Sequence, residues 1–461
     1  MKNLRYIGPF LRINSLSIDN VKNQLDHFTK ESLKHIALNS RCGITTPLKD
    51  LKIPSSPNID INIFKENSLL LCMYKKSDGK VLKNKYGLYW DENTFKKDIN
   101  VSSNILFTLN LLNISNYYYK LETLDKKLYS LGVLYSNLCK CQLDFYYKYL
   151  RNEDGIFVDK KNLSPGSSKN ISLESTDNVY KVSDQGFIML VNYLYSIDPN
   201  SRDSSVYKDF SSDILNMLIH YRDELYEVSH VERATLLLSL NLFCNYSNDD
   251  SAKELLMDLM DYHFQCFLDE NRLYNYDDFK ELPLNLINIC MYQKFTGLEN
   301  FNKQKDDILE ILDNLYDEKL GVLMKKKNKK EFKIYASDIN LFLSSLILCN
   351  EDNKFDMHIV DFYKKHFIDS NLIPSWPDCP NLDSVERYNN FSLKADDLIS
   401  DSNFRPNSIL PPESSGFAPI MYKSVYYNTK KCNFSKIKSY FDSYENMFSL
   451  FINLYTINSH I

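Results

Sequence analysis

Residues Tyr149–Asp159 read YLRNEDGIFVD. An aromatic residue closes an apolar-periodic helical segment, a short acidic turn follows, and then come a glycine and two apolar residues. Approximate echoes recur along the chain. Tyr74 opens YKKSDGKV, Tyr221 opens YRDELYEV, Phe267 opens FLDENRLY, Tyr316 opens YDEKLGVL and Phe367 opens FIDSNLIP. The leading aromatics are 75, 72, 46, 49 and 51 residues apart. A period of this size marks units that cannot bury their apolar faces alone and must stack or close on one another.

Each echo ends one helix and precedes another. The second helices are predicted over Val101–Asn113, Asp184–Ile197, Ser229–Tyr246, Phe279–Phe295, Ser337–Leu348 and Ser414–Tyr427. Segments such as FIMLVNYLY, ATLLLSLNLF and INLFLSSLIL are apolar nearly all round, the mark of a helix buried on every side. The preceding helices, Asp250–Phe267 and Lys305–Tyr316 among them, carry charge on one face. Ile59–Tyr74 reads as the first outer helix, Leu121–Leu150 as a long one, and Phe434–Ile457 as a last amphipathic helix outside the ring. Six buried helices alternating with six or seven half-exposed ones predict an all-α fold. The arrangement is an (α/α)6 toroid of six hairpins, with a short β-hairpin or extended loop near 75–92. An irregular α-solenoid is the competing arrangement. The domain reading is an N-terminal arm and helix over 1–58, packing on a toroid over 59–461.

A hydrophobic fraction of 44% supports a sizeable core, and only 11 Gly and 14 Pro argue against a β-rich or low-complexity chain. The formal net charge of −5 offers no general attraction to nucleic acid. The one basic run, Lys325–Lys330, has no interleaved aromatics and reads as a solvated turn. No apolar stretch reaches the roughly 18 residues of a membrane span, and Met1–Asn14 lacks the apolar core of a secretory signal. The ten Cys are scattered, as suits reduced thiols in a cytoplasmic protein. No Cys or His cluster has metal-ligand spacing, so no metal and no cofactor are expected. Walker, Rossmann and nucleophile-elbow fingerprints are missing.

In a ring of hairpins every inner helix points the same way. The acidic turns then gather at one mouth, beside the positive N-termini of the inner helices, and any pocket is expected there. Ser17 and Ser229 read as N-caps, the latter in an S-x-x-E box with Glu232, and Ser183 or Asp184 and Ser337-Asp338 read as caps of their helices. The candidate catalytic carboxylates are Asp184, Glu232 and Asp338, because two carboxyls in different environments can serve as acid and base in glycosidic cleavage. Asp184 and Asp338 stand across the ring from each other; Asp184 and Glu232 are on adjacent helices. Capping competes with catalysis as the role of each. Trp90, Trp376, Tyr335, Glu281 and Asp278 are the candidate substrate contacts, the aromatics for stacking on sugar rings, although either Trp also suits a loop anchor.

The alternating helices, with the echoes around Gly79, Gly155 and Gly321, resemble the six-hairpin (α/α)6 toroid glycosidases and polysaccharide-processing enzymes over about residues 59–457. The resemblance implies a cleft of acids and aromatics at the loop-bearing mouth, and a small-molecule or oligosaccharide substrate. Two other readings stand beside it. One is a non-catalytic protein- or peptide-binding assembly protein, which would have a protein partner. The other is a toroid acting on an isoprenoid or modified-peptide substrate.

Overall fold

The computed structural model describes residues 16–457, apart from 55, 57, 61–67, 78–80, 85–86, 165–170, 177–179, 270–278, 325–329, 351–352, 379, 381–385, 387–417 and 436–439. Asp278, the basic run at 325–329, the arm at 1–14 and most of the long loop after residue 373 lie outside the described residues.

Six helices close into an inner ring: α2 (Val101–Tyr119), α4 (Val182–Ser196), α7 (His230–Ser247), α9 (Glu281–Thr296), α11 (Ala336–Leu348) and α13 (Ser443–Ile452). Each packs on the next, and α13 packs back on α2. Outside them lie α1 (Ile18–Leu38), α3 (Lys126–Tyr149), α5 (Ser204–His220) with the short α6 (Arg222–Glu227), α8 (Asp250–Asp269), α10 (Asn302–Leu315) and α12 (Asp356–Tyr363). α3 packs on α2, α5 on α4, α8 on α7, α10 on α9 and α12 on α11, while α1 bridges α12 and α2. The fold is a toroid of six helical hairpins in which inner and outer helices alternate along the chain, α3, α5, α8, α10 and α12 each packing chiefly on the inner helix before it.

The inner helices are buried on all faces because neighbours and outer helices cover every side. In α2 all of Val101–Ser115 is buried. Polar residues inside the ring are mostly Asn, Ser and Thr, and several return a hydrogen bond to their own helix. The amides of Asn104, Asn192, Asn340 and Asn446 donate to the carbonyls of Asn100, Ile188, Ala336 and Asp442. A short amide can thus sit in an apolar wall without leaving its donor unpaired. Gly186 lets α4 approach α7: a Cβ there would lie 2.3 Å from Ser239 Oγ.

Two expected helices are strands. Ser68–Met73 pairs antiparallel with Gly43–Pro47, so Ile59–Tyr74 is not the first outer helix, and Ile18–Leu38 fills that place. Ser424–Asn428 pairs with Glu331–Tyr335 and Asn433–Phe434, so Ser414–Tyr427 is not the sixth inner helix. That position belongs to Ser443–Ile452, continued to Ile457 by a wider turn. The last helix is therefore inside the ring, not outside it; its run MFSLFI is buried throughout. Val81–Asn84 and Gly87–Trp90 form the hairpin expected near 75–92. The turns at Gly155 and Gly321 take φ of +82° and +63°, the left-handed region that glycine enters freely.

Candidate functional site

The N-termini of the inner helices meet on one face and are tied to each other there. Ser102 Oγ, at the second position of α2, donates to Asp184 Oδ1, at the third position of α4, over 2.5 Å. Ser183 N, at the second position of α4, donates to Glu232 Oε1 of α7 at 2.9 Å. Ser337 N of α11 donates to Glu445 Oε2 of α13 at 2.9 Å. Ser443 Oγ of α13 donates to Ser103 Oγ of α2 at 2.9 Å. A carboxylate at the third position of one helix thus reaches the second position of the helix before it. Open amides and the helix dipole both favour an anion there.

This arrangement changes the caps expected from sequence. Helix α4 begins at Val182, so neither Ser183 nor Asp184 is its N-cap, and α11 begins at Ala336, where Asp338 Oδ2 accepts from Tyr335 N at 3.3 Å. Ser229 does cap α7, its Oγ accepting from Glu232 N at 3.3 Å. The Glu232 carboxylate, however, bonds across to α4. Asp159 accepts from Val101 N at 2.8 Å and from Asn100 Nδ2 at 2.9 Å, which anchors the turn after α3 to the start of α2.

Asp184 is 5% exposed. Burial pushes its carboxyl up to about 7 and the Asp159 and Glu232 charges add to the rise, against the opposing Lys181 ammonium and the Ser102 hydroxyl. Oδ1 accepts from Ser102, so the proton of the neutral acid sits on Oδ2. Around Asp184 lie two carboxylates on different elements and one lysine. A second group lies beside it. Burial lifts the Glu445 carboxyl above the usual range, with Lys280 opposing. Lys280 Nζ donates to Tyr444 Oη at 2.8 Å and stands 4.5 Å from the Tyr444 ring centre. Lys181 lies over the same ring at 5.8 Å. Tyr444 therefore joins the Asp184–Glu232–Asp159–Lys181 group to the Lys280–Glu445 group. Asp338 belongs to the second, since its charge helps hold Lys280 protonated once burial is overcome.

Glu281 is buried at the start of α9, with Oε1 3.9 Å from His230 Nδ1 at the start of α7. Behind this pair, Arg233 Nε donates to His263 Nδ1 at 3.3 Å, and His263 Nε2 meets Asn285 Oδ1 at 2.9 Å. An arginine always donates, so Nδ1 is the acceptor and His263 carries its hydrogen on Nε2. Tyr335 ends a strand just before α11, with Lys333 Nζ 4.2 Å from its ring centre. Trp376 is 4% exposed and packs on Phe28 at 5.4 Å and Tyr363 at 6.3 Å. It anchors its segment to the outer helices α1 and α12. Trp90 ends the 87–90 strand; its side chain, like Asp278, lies outside the described residues.

Sequence reasoning missed Ser102, Lys280, Tyr444 and Glu445. The signal for the last two was present in Asp442-Ser443-Tyr444-Glu445, which matches an N-cap followed three residues later by Glu; Asp442 Oδ1 accepts from Glu445 N at 3.3 Å. Two cavities bounded by described residues open on the opposite face. No group of three His, Cys, Asp or Glu among the described residues converges as a metal site. No described helix is long and apolar enough to cross a membrane.

No family model matches the sequence, and no curated protein matches it. Among solved structures, the chain is similar to a selenomethionine derivative of a GH76 alpha-mannanase from Bacteroides thetaiotaomicron. The match has a TM-score of 0.45 and 11% identity, and covers 95% of this chain and 96% of that one.

Proposed function

We propose that this chain is a glycoside-hydrolase-like, carbohydrate-active enzyme whose reaction centre is the mouth of the inner ring, with Asp184 as proton donor. The observation that carries this reading is the environment of Asp184: a buried carboxyl, pinned through Oδ1 by Ser102, with carboxylates of two neighbouring elements beside it. Glycosidic cleavage needs one carboxyl that keeps its proton near neutrality and a second that is ionised. Glu232 is the better second group. Asp159 has both oxygens engaged by the start of α2, whereas Glu232 uses Oε1 on Ser183 N and leaves Oε2 without a partner among the described residues. Asp184 Oδ2 would protonate the leaving oxygen, and Glu232 Oε2 would act as base or nucleophile. Tyr335, Glu281 and Tyr444 on the same rim are the proposed substrate contacts, with Trp90 and Asp278 as further ones and Asp338 supporting Lys280.

One observation favours the non-catalytic alternative, in which a protein or peptide is held at the mouth. Glu232, Glu445 and Asp338 each give an oxygen to a backbone amide, a role that needs no substrate. A screen of oligosaccharides, uronic acids included, on wild type, Asp184→Asn and Glu232→Gln separates the readings. The enzyme reading expects a ligand that raises Tm in all three proteins. It also expects turnover in the wild type and a loss of about 10²-fold or more in each variant, the usual weight of an acid or base. Unchanged turnover in both variants, or no saccharide that binds or reacts, would overturn it.

A further inference from the structure

A cavity of about 470 Å³ opens at the other end of the ring, where the inner helices finish. That volume is in the range of small-molecule sites. Its walls come from the C-terminal halves of α2, α7, α9 and α11 and from the turn that continues α13, so it is separated from the Asp184 mouth by the length of the inner helices.

Four carboxamides line it: Asn113, Asn241, Asn245 and Gln293. Two of these are built into the ring wall, Asn241 at 1% and Asn113 at 5% exposure. The orientation of Asn241 follows from its neighbours. Asn288 Nδ2 donates to Ala234 O at 2.8 Å, so Asn288 Oδ1 is an acceptor. Asn241 Nδ2 donates to it at 3.3 Å, which leaves Asn241 Oδ1 as the unpaired end. Asn113 stands beside the Tyr455 hydroxyl and interacts with it, so Asn241 Oδ1 is the polar end that faces the cavity without a partner among the described residues. Other inner-helix polar atoms, Asn110 Oδ1 and Ser344 Oγ among them, are also unmatched; Asn241 Oδ1 differs from these in lining an open cavity, where a ligand can supply the missing donor.

The lining also limits the charge of that ligand. Lys294 and Lys305 stand on the rim and disfavour a cation. Glu299 and the carbonyl ends of α7, α9 and α11 disfavour an anion. What remains is a neutral molecule that both donates and accepts hydrogen bonds. Carboxamides match hydroxyl groups in both roles, and Tyr246 and Tyr455 offer aromatic surface for an apolar ring face. We propose that this cavity is a second binding site, for a neutral polyhydroxylated ligand of the saccharide class, held by Asn113, Asn241, Asn245 and Gln293.

The test is calorimetric titration of the full chain with neutral mono- and disaccharides, with spermidine and glucuronate as charged controls. It is run on wild type, on the double variant Asn245→Ala/Gln293→Ala, and on Asp184→Asn. Asn245 is exposed and Gln293 half-buried, so the double variant should fold; its thermal melt is recorded beside the wild type. The expected result is one neutral sugar binding with a 1:1 stoichiometry, weakened about tenfold or more, or 1.4 kcal/mol, in the double variant and unchanged in Asp184→Asn. Binding that is lost in Asp184→Asn and kept in the double variant would assign the sugar to the mouth and overturn the proposal. So would binding of spermidine or glucuronate alone, or of no probe at all. Turnover is measured separately, so an inactive mouth with an intact second site, or the reverse, is distinguishable.

Discussion

Replacing Asp184 with Asn removes a group that folding forces to keep its proton. In the unfolded chain this carboxyl titrates near its ordinary 3.8, and in the folded protein it is pushed up to about 7. Between those values the folded state binds the extra proton. Stability from this group is therefore complete below about pH 4, falls as pH rises, and levels off above about pH 7. At 1.36 kcal/mol for each tenfold change in proton affinity, the full fall is about 4 kcal/mol. Asn cannot ionise and is spared the fall. Its amide can turn its oxygen toward Ser102 Oγ, so the 2.5 Å contact keeps an acceptor. Other raised carboxyls, Glu445 among them, titrate alike in both proteins and cancel in the difference. Urea denaturation of both proteins from about pH 4 to about pH 8 reads the effect through the midpoints, provided the slopes agree. The two should be within about 1 kcal/mol at the acid end, and the variant should be several kcal/mol more stable at the alkaline end. Parallel stability profiles across the range would refute the argument that burial holds the proton.

Gly186→Ala should lose about 1–3 kcal/mol and lower Tm, because the new Cβ meets Ser239 Oγ at 2.3 Å and Leu236 Cδ1 at 2.7 Å; overpacking outweighs the roughly 1 kcal/mol gain in helix propensity. Glu445→Ala takes the acceptor from Ser337 N and a carboxylate from the neighbourhood of half-buried Lys280. It should cost about 3 kcal/mol in urea titrations, with Glu445→Gln recovering part. Trp376→Ala opens the cluster with Phe28 and Tyr363; about 3–5 kcal/mol is expected, with ligand affinity at the mouth unchanged by calorimetry. Cys290 Sγ of α9 and Cys349 Sγ beyond α11 lie 3.1 Å apart, close to the roughly 2 Å of a disulfide. Treatment with oxidised glutathione should form that bond by exchange, releasing reduced glutathione and removing two titratable thiols, and Cys349→Ser should block it.

Five of the six inner helices are readable from sequence because nothing else explains ten or more residues that are apolar on all faces. The sixth was displaced by one strand. SVYYN at Ser424–Asn428 is β-branched and aromatic, as strands are, and its partner Glu331–Tyr335 is remote in sequence. The run SLLLCM at Ser68–Met73 shows the ambiguity of short apolar stretches, which periodicity alone does not assign; pairing with Gly43–Pro47 decides it. Asp184 and Glu232 could be singled out because both sit at the start of strongly apolar helices. Their partners could not. The Ser102–Asp184 bond spans 82 residues and the Ser337–Glu445 bond spans 108, so those contacts exist only once the ring is closed. The same holds for the carboxamide cavity, whose walls come from five separate parts of the chain.

The most direct measurement of the central claim is the pH dependence of reducing-end release from an oligosaccharide substrate, compared between wild type and Asp184→Asn. If Asp184 is the proton donor, wild-type activity declines as pH rises through about 7, following the carboxyl that loses its proton there. The variant should have little activity at any pH and no such limb. A wild-type profile that stays level through that range, or a variant that keeps both the rate and the limb, would contradict the assignment of Asp184 as the catalytic acid.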